Sequence, residues 1–308
     1  MILTVTANPA VDRVYRIDGF EMGKVHRPES VTVSAGGKGI NVARVSKILG
    51  ADVCALGFVG GSSGAFIESE VEKLGIQCAF TAVSGETRIN VNITDENGRS
   101  GEILGNGPFV TEKERQAFER EFLNRIGKCS IAAASGSLPA GLDFEFYCSL
   151  VNTANKENKP IIADTSGKAL CEVVKCKPFM VKPNTDELVH LFSAKPEGEN
   201  EIKECLVKMH EMGVRVPLVT LGEKGAAAMV DGNFLVFTPP KIKAVNTVGS
   251  GDSTVGGICT GLDRNMSIAD SIKLGMACGA ANTQFEQTGV VSRELVSEYY
   301  NKISVKVL

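Results

Sequence analysis

The chain has 308 residues, of which 43% are apolar and 22% charged, and its formal net charge at pH 7 is −3. These values are typical of a globular protein of one or two domains. The absence of a long basic run argues against a protein that binds nucleic acid through its phosphates. Nine scattered cysteines without a zinc-type pair favour small buried side chains in a reducing compartment. No basic leader begins the chain, and no apolar run approaches the ~20 residues of a membrane span. We therefore expect a cytoplasmic protein without membrane contact.

The predicted elements begin with a buried strand at Ile2–Ala7. Four later stretches alternate apolar and polar residues, as half-exposed antiparallel strands do: Val14–Ile17, Ser30–Ser34, Arg88–Thr94 and Ser100–Leu104. An Asn-Gly hairpin signal at Glu96–Gly98 separates the last two. We expect these strands to pair as one small separate sheet, built from two excursions of about residues 11–34 and 87–106.

The rest of the chain alternates helices and strands. The predicted helices are Ala35–Leu49, Gly64–Leu74, Glu112–Ile126, Asp143–Asn155, Thr185–Phe192, Glu201–Met212, Ser253–Leu262, Ser267–Gln284 and Glu294–Ile303. The predicted strands are Asp52–Val59, Ile76–Phe80, Ser130–Ala134, Pro160–Ala163, Phe179–Lys182, Val216–Leu221, Ala226–Val230 and Phe234–Phe237. This order predicts an α/β fold in which a mostly parallel sheet lies between two layers of helices. No linker divides it, so we expect one domain over residues 1–308, with ligands beyond the carboxyl ends of the strands.

The stretch Asn246–Gly257 is a glycine-rich turn that leads into a helix and carries one aspartate. Backbone N–H groups near Gly249, Ser250 and Gly251 can converge at the positive end of that helix, a place that binds phosphate. Asp252 would repel a phosphate, and its presence is explained if it takes a proton from an attacking hydroxyl. The alternative is an ordinary glycine turn in which Asp252 is the N-cap.

Two polar features accompany the first strand. In Ala35–Asn41 (Ala-Gly-Gly-Lys-Gly-Ile-Asn), the glycines let a ligand approach the backbone, and Lys38 and Asn41 supply polar contacts. Asp12 follows the strand and suits a pair of sugar hydroxyls. The alternatives are a plain turn between strand and helix and a solvent-exposed aspartate.

Four cations lie in or beside the two excursions: Lys24, Arg27, Lys38 and Arg88. If the excursions form a lid, these side chains can meet one anion, and the planar fork of arginine suits phosphate. Arg88 is the strongest candidate because it leads directly into a predicted strand of the lid. The alternative is that all four are solvated surface charges.

Three clusters follow later strands. Asn184 and Glu187, three apart at a helix start, can hold a hydrated Mg²⁺ or form a capping box. Val219–Gly225 can hold nucleotide phosphates or ribose, or be a plain turn, and Ser137 can donate to a phosphate or a hydroxyl. The chain lacks both the Walker phosphate loop and the glycine fingerprint of nicotinamide binding.

Taken together, these stretches resemble the phosphofructokinase B family of the ribokinase-like superfamily. Gly36–Asn41 and Thr247–Asp252 resemble its two signatures, and Ser135–Pro139, Val181–Asn184 and Thr220–Gly222 fall between them in the family's order. The resemblance covers essentially the whole chain. It implies a three-layer α/β/α core with a β-sheet lid, and an ATP-dependent, Mg²⁺-requiring kinase of a sugar or sugar phosphate that often forms a dimer through its lids.

The resemblance also implies a role for each matching residue. Asp252 would be the base, and the amides of Gly249, Ser250 and Gly251 would hold the transferring phosphoryl group. The implied contacts with the phosphosugar are Asp12, Gly36, Gly37, Lys38, Asn41, Arg88 and Ser137, with Lys24 reaching a phosphate from the partner subunit. The implied contacts with the nucleotide are Lys182, Asn184, Thr220, Gly222, Gly225, Thr247, Gly279 and Asn282. Asn184 and Glu187 would hold Mg²⁺, directly or through water.

The residues Thr87–Val91 narrow the expected substrate, because they resemble the phosphohexose kinases in which the matching arginine grips the existing phosphate. We expect fructose 1-phosphate, with tagatose 6-phosphate as the alternative. A third hypothesis is a catalytically silent sugar-phosphate sensor on the same fold. Asp252 and its glycines argue against it, because a sensor needs no base.

Overall fold

A computed structural model describes residues 1–95 and 100–307. The strands in these residues are β1 Ile2–Thr6, β2 Ala10–Arg16, β3 Ser30–Gly36, β4 Val53–Val59, β5 Gln77–Cys78, β6 Thr81–Ala82, β7 Arg88–Thr94, β8 Ser100–Leu104, β9 Ile131–Ser135, β10 Ile161–Asp164, β11 Met180–Val181, β12 Val216–Thr220, β13 Ala226–Val230, β14 Asn233–Thr238 and β15 Ser304–Val307. The helices are α1 Lys38–Ile48, α2 Gly61–Lys73, α3 Glu112–Ile126, α4 Glu145–Lys156, α5 Gly167–Lys175, α6 Leu188–Phe192, α7 Glu199–Glu211, α8 Ser250–Asp263, α9 Ile268–Asn282 and α10 Arg293–Lys302.

The main sheet has the strand order β15-β14-β13-β12-β11-β10-β9-β1-β4-β5, and the short strand β6 pairs with the end of β4. The strands from β12 to β5 are all parallel, whereas β13, β14 and β15 are added antiparallel at one edge. The predicted mostly parallel α/β sheet is therefore confirmed.

Two layers of helices cover the two faces of this sheet. Along β1, Ile2 packs into the core formed with α1, α2, α8, α9 and α10, and the next residue, Leu3, packs into the core formed with α3 to α7. In the second core, Phe58 of β4 lies 4.8 Å from Phe118 and 5.8 Å from Phe146, measured between ring centroids. Burial of each such side chain is worth about 1.5–3 kcal/mol, so these two cores hold the three layers together.

The second sheet is small and has the order β3-β2-β7-β8. Its existence was predicted, but β2 and β7 pair in parallel rather than antiparallel. Alternation indicates that one face of a strand is exposed and does not indicate the direction of its partner. Here β3, α1, β4 and α2 intervene between β2 and β7, and this long connection brings the chain back into the small sheet in the direction of β2. The predicted turn at Glu96–Gly98 lies outside the described residues.

The register gives the small sheet one polar and one apolar face. Asp12 lies beside Ser34 on one side and Asn90 on the other, so all three belong to the polar face. The other face is mostly apolar and contains Val33 and Val91, which flank Arg13 of the intervening strand β2. The polar face lines the cavity described below.

Three of these elements, α5, β6 and β15, were not predicted, and β6 is a strand of only two residues, Thr81–Ala82. The helix α5 has the apolar spacing of an amphipathic helix, with Leu170, Val173 and Val174 buried, and this short signal was overlooked after the strand ending at Asp164. The strand β15 is a short stretch at the end of the chain that completes the sheet edge beside β14. Among the described residues, no helix is both long enough and apolar enough to cross a membrane.

Candidate active site

A cavity of about 2010 Å³ opens at the carboxyl edge of the parallel strands, under the polar face of the small sheet. Its floor includes the last residues of four strands, Thr6, Ser135, Asp164 and Thr220. Pockets for one small ligand have volumes of about 300–1,000 Å³. This cavity is therefore large enough for two ligands side by side.

The N-terminus of α8 faces this cavity. Gly249 is the N-cap, with φ of 80°, a left-handed conformation that favours glycine, and a Cβ at this position would overlap a methyl group of Thr288. Asp252 is the third residue of the helix, so the alternative in which it is the N-cap is wrong. The first amides of a helix have no partner within it, although the amide of Ser250 donates a long bond of 3.3 Å to the Thr247 carbonyl.

The carboxylate of Asp252 is almost fully buried, with 7% of its surface exposed. The amide nitrogen Nδ2 of Asn41 donates to its Oδ2 at 2.8 Å. Burial raises the pKa of Asp252 to about 6, and the negative charge of Asp164 adds to that rise. The Asn41 hydrogen bond and two nearby lysines oppose it. The result is a carboxylate that can exchange a proton near neutral pH.

Two lysines and one carboxylate surround the same helix end. Asp164, which is 2% exposed, lies with Oδ1 3.3 Å from Nζ of Lys182 and with Oδ2 3.9 Å from Nζ of Lys38. The charge of Asp164 raises the pKa of Lys38, so that lysine stays charged. A Cβ on Gly251 would lie 3.3 Å from Nζ of Lys182. The lysines and the positive end of α8 thus make this part of the cavity suitable for a highly charged anion.

The polar face of the small sheet contributes Arg88 and Asp12 to the lining of this cavity. Arg88 donates to the carbonyl of Asn8 at 2.9 Å, and its buried Nε has no hydrogen-bond partner within residues 1–95 and 100–307. Asp12 accepts a hydrogen bond of 2.8 Å from Asn90. Burial raises the pKa of Asp12, against the opposing effects of Asn90 and of the Arg88 and Arg44 charges. A guanidinium with an unused donor and a partly desolvated carboxylate together suit a phosphorylated polyol.

Asn184 and Glu187 form a reciprocal capping box, as the alternative predicted. The amide of Asn184 donates to Oε2 of Glu187 at 2.9 Å, and the amide of Glu187 donates to Oδ1 of Asn184 at 2.8 Å. Both side chains also line the cavity, and the accepting oxygens retain lone pairs. The described residues contain no cluster of three or more acidic, histidine or cysteine side chains that could hold a bare metal ion. The pair therefore fits a Mg²⁺ ion that keeps most of its waters.

Most of the predicted site residues line this one cavity. They are Asp12, Gly37, Lys38, Asn41, Arg88, Ser137, Lys182, Asn184, Glu187, Thr220, Gly222, Gly225, Thr247, Gly249, Ser250, Gly251, Asp252 and Gly279. Residues separated by more than 200 positions are thus brought together by the sheet order.

Four predicted site residues lie off the cavity wall: Gly36, Lys24, Arg27 and Asn282. Gly36 is packed so closely against the Asp12 carboxylate that a Cβ would overlap it. Lys24 lies in an exposed loop and pairs with Glu21 at 2.5 Å. The expected adenine contact of Asn282 is not supported, because its buried amide holds the backbone instead. Its Nδ2 donates to the Val248 carbonyl at 2.9 Å, and its Oδ1 accepts from Ser253 and from the amide of residue 289.

Several cavity residues were missed from the sequence. Asn90 lies two residues after Arg88, so the period of a strand places it on the same face. Asp164 is an acidic residue at the end of a strand, which is the signal that identified Asp12. Arg44 had no such signal, because its position three residues after Asn41 indicates only a shared helix face.

Known proteins resemble this chain over nearly its whole length. Residues 5–294 match the model of the family described as "pfkB family carbohydrate kinase". A protein of Staphylococcus epidermidis named tagatose-6-phosphate kinase is 39% identical over 308 residues, covering 99% of each chain. The structure of the tetrameric inhibited form of phosphofructokinase-2 from Escherichia coli has a TM-score of 0.91 at 28% identity, over 98% of each chain. The structure of a Thermotoga maritima protein described as a possible 1-phosphofructokinase has a TM-score of 0.91 at 26% identity, over 100% of this chain and 99% of that one. The chain therefore belongs to the pfkB family of carbohydrate kinases.

Proposed function

We propose that this kinase transfers the γ-phosphoryl group of ATP to a primary hydroxyl of a ketohexose monophosphate, with Asp252 as the base. Membership of the kinase family implies ATP as the phosphate donor. The observation that carries the proposal is the environment of Asp252. Its buried carboxylate accepts a hydrogen bond from Asn41 and lies in the first turn of α8, in a cavity with room for two ligands.

In this proposal, Asp252 accepts the proton of the attacking hydroxyl, and the amides of Gly249, Ser250 and Gly251 balance charge on the transferring oxygens. Its pKa of about 6 leaves it ionised at pH 7 and still basic enough to take a proton. Lys182 lies beside the same amides and adds positive charge. Closure of the small sheet over the cavity as a lid would exclude water from the reaction.

Arg88 is proposed to grip the phosphate that the sugar already carries, because its buried Nε has no partner among the described atoms. Asp12, Asn41 and Ser137 are proposed to orient the sugar hydroxyls. This divides the cavity between a phosphate clamp on the small sheet and a reaction centre at α8.

Tagatose 6-phosphate is the first candidate substrate, because the relatives at 39% identity over nearly their whole length are named tagatose-6-phosphate kinases. Fructose 1-phosphate, the expectation from the sequence, is the second candidate. It is supported by the Arg88 stretch and by the neighbour described as a possible 1-phosphofructokinase. The two sugars differ in the configuration of one carbon and in which end carries the phosphate.

Asn184 and Glu187 are proposed to hold Mg²⁺ through its water molecules. When bound, this ion would neutralise phosphate charge on the nucleotide. The residues proposed to contact the nucleotide line the same cavity: Thr220, Gly222, Gly225, Thr247 and Gly279.

The apolar face of the small sheet is proposed to pair with that of a second copy, giving a homodimer. Three apolar side chains on this face, those of Val31, Val33 and Ile103, are 46%, 42% and 64% exposed. Exposed apolar residues grouped on one face mark an interaction surface, whereas scattered single ones do not. A lid-to-lid dimer would also bring the exposed loop with Lys24 close to the partner subunit.

The proposed function is tested by measuring ADP release with a panel of sugars and sugar phosphates. We expect activity with tagatose 6-phosphate or fructose 1-phosphate at least about 100-fold above that with the unphosphorylated sugars, since the charged clamp would be left unpaired without a phosphate. Equal activity with fructose and its phosphates would contradict the clamp. A lack of ADP release, combined with measurable binding of the phosphosugars, would instead support the sensor hypothesis.

A further inference from the structure

We propose that Arg44 is a positioning residue for the reaction: it fixes the Asn41 amide so that the NH₂ group faces Asp252, and it ties that orientation to strand β3 of the small sheet. This inference rests on the proposed role of Asp252 as the base. Arg44 itself carries no chemistry in the proposed transfer.

The contacts form one continuous chain of hydrogen bonds. Nη1 of Arg44 donates to Oδ1 of Asn41 at 2.9 Å, and Nδ2 of Asn41 donates to Oδ2 of Asp252 at 2.8 Å. The same guanidinium donates to the carbonyl of Thr288 at 3.0 Å and to the carbonyl of Ala35 at 2.6 Å. Two separate segments of backbone and one side chain are thus fixed by Arg44.

This chain of hydrogen bonds determines which end of the Asn41 amide faces the base. An amide can be turned by 180° with little change of shape, so its orientation depends on its partners. Arginine has only donors, and Arg44 must therefore face the carbonyl oxygen of Asn41. The NH₂ group is left to face Asp252, where it stabilises the ionised carboxylate that can act as a base. The opposite orientation would present an oxygen to Asp252 and would favour its protonated form.

The link to the small sheet follows from Ala35, which is in β3 directly before the glycines of the first signature. Backbone at position 289 packs against the other side, since a Cβ on Gly289 would lie 2.9 Å from Cβ of Asn41 and 3.1 Å from Nη1 of Arg44. A movement of β3 or of the 288–289 segment would therefore be transmitted to the amide that orients the base.

Charged groups surround both ends of this chain of hydrogen bonds, Asp252 and Arg44. Asp164, Lys38 and Lys182 surround Asp252, and Asp12 and Glu70 act on Arg44. Burial lowers the pKa of Arg44, and these two carboxylates oppose that change. Loss of the hydrogen bond from Asn41 would raise the pKa of Asp252 further, because that bond favours its ionised form.

A kinetic double-mutant cycle tests the inference with Arg44→Met, Asn41→Ala and the double variant. We expect Arg44→Met to lower kcat by about 10- to 100-fold, as a misplaced catalytic geometry does, with little change in KM for ATP. Both changes remove the same interaction, the oriented Asn41 amide that faces Asp252. The kcat of the double variant should therefore be no more than about threefold below that of the slower single variant. Losses that multiply would overturn the inference.

Two further measurements separate positioning from a purely structural role. The acidic limb of the pH profile of kcat should move to higher pH in Arg44→Met, and Arg44→Lys, which retains a donor, should recover part of the rate. An unshifted limb would count against the inference. If Arg44→Met does not fold, the cycle is run with Arg44→Lys. The control is Arg264→Met, since Arg264 also donates to a backbone carbonyl beside α1, that of Leu49 at 2.5 Å, but lies away from the cavity.

The outcome also distinguishes this inference from the proposed function. A wild-type chain that phosphorylates no member of the sugar-phosphate panel would defeat the proposed function itself. An active wild type whose Arg44→Met variant keeps full kcat would defeat only the role of Arg44.

Discussion

Removal of the charge at position 252 should stabilise the folded protein at neutral pH, even though it removes the proposed base. The carboxylate has lost nearly all its water, and its pKa is raised from an ordinary 3.8 to about 6. At about 1.36 kcal/mol for each pKa unit, this difference corresponds to about 3 kcal/mol of lost stability in the ionised form. The Asp252→Asn variant has a similar shape, keeps an oxygen for Asn41 and bears no charge, so it should recover much of that free energy.

Because folding raises the pKa of Asp252, the free energy of unfolding depends on pH. Below about pH 3.8 the carboxyl group is protonated in both the folded and the unfolded chain, and it carries no penalty. As the pH rises to about 6, the unfolded chain loses this proton while the folded chain still binds it, so the free energy of unfolding falls. Above about pH 6 the penalty is complete and constant.

The assay is urea unfolding of the wild type and of Asp252→Asn between pH 5 and pH 8. The variant should be the more stable at pH 7, and its advantage should shrink towards pH 5. Asp186→Asn serves as the control, because the side chain of Asp186 is 77% exposed and its charge should have little effect on stability. A wild type that is more stable than Asp252→Asn at pH 7 would refute the argument from desolvation.

Three other predictions concern the remaining parts of the site. Arg88→Met should raise KM for the phosphosugar at least about 10-fold while leaving KM for ATP near its original value. The control Arg16→Met, in an exposed part of the same sheet, should change neither KM. An equal rise of both KM values would exclude Arg88 from the phosphate clamp. Glu187→Gln keeps an acceptor for the capping box but loses the charge, so the Mg²⁺ concentration for half-maximal rate should rise about 10-fold, and an unchanged Mg²⁺ dependence would contradict the metal assignment. Ile103→Glu should reduce the mass measured by light scattering from that of a dimer to that of a monomer. The control Leu123→Glu changes a residue on α3 that is 51% exposed, and it should leave the mass unchanged. An unchanged mass for Ile103→Glu would exclude the apolar face as the interface.

Much of this fold could be predicted because its determinants are local. Buried strands, amphipathic helices and glycine-rich strand ends gave the α/β order, and the alternation in Arg88–Thr94 revealed a separate sheet. The direction of the pairing between β2 and β7 could not be predicted, because it depends on how the intervening elements cross the core. The α5 helix, by contrast, had a readable pattern at Leu170, Val173 and Val174.

The site was predictable where a residue type is unusual for its position. Asp252 was noticed because a carboxylate is unusual at a helix start that the glycine-rich sequence predicts to bind phosphate, and Arg88 because it leads into a strand of the small sheet. Asn282 and Arg44 both contact distant backbone, at Val248 and at Thr288 respectively. Such contacts leave no pattern in the sequence, so Asn282 was assigned to the ligand and Arg44 was overlooked.

The turnover of Asp252→Asn is the direct test of the proposed role of Asp252 as the base. With saturating ATP and the preferred phosphosugar, kcat should fall by about 10²- to 10⁴-fold, the usual contribution of a general base. Dissociation constants for both ligands, measured by calorimetry, should stay within a few fold of those of the wild type. Turnover near that of the wild type would exclude Asp252 as the base.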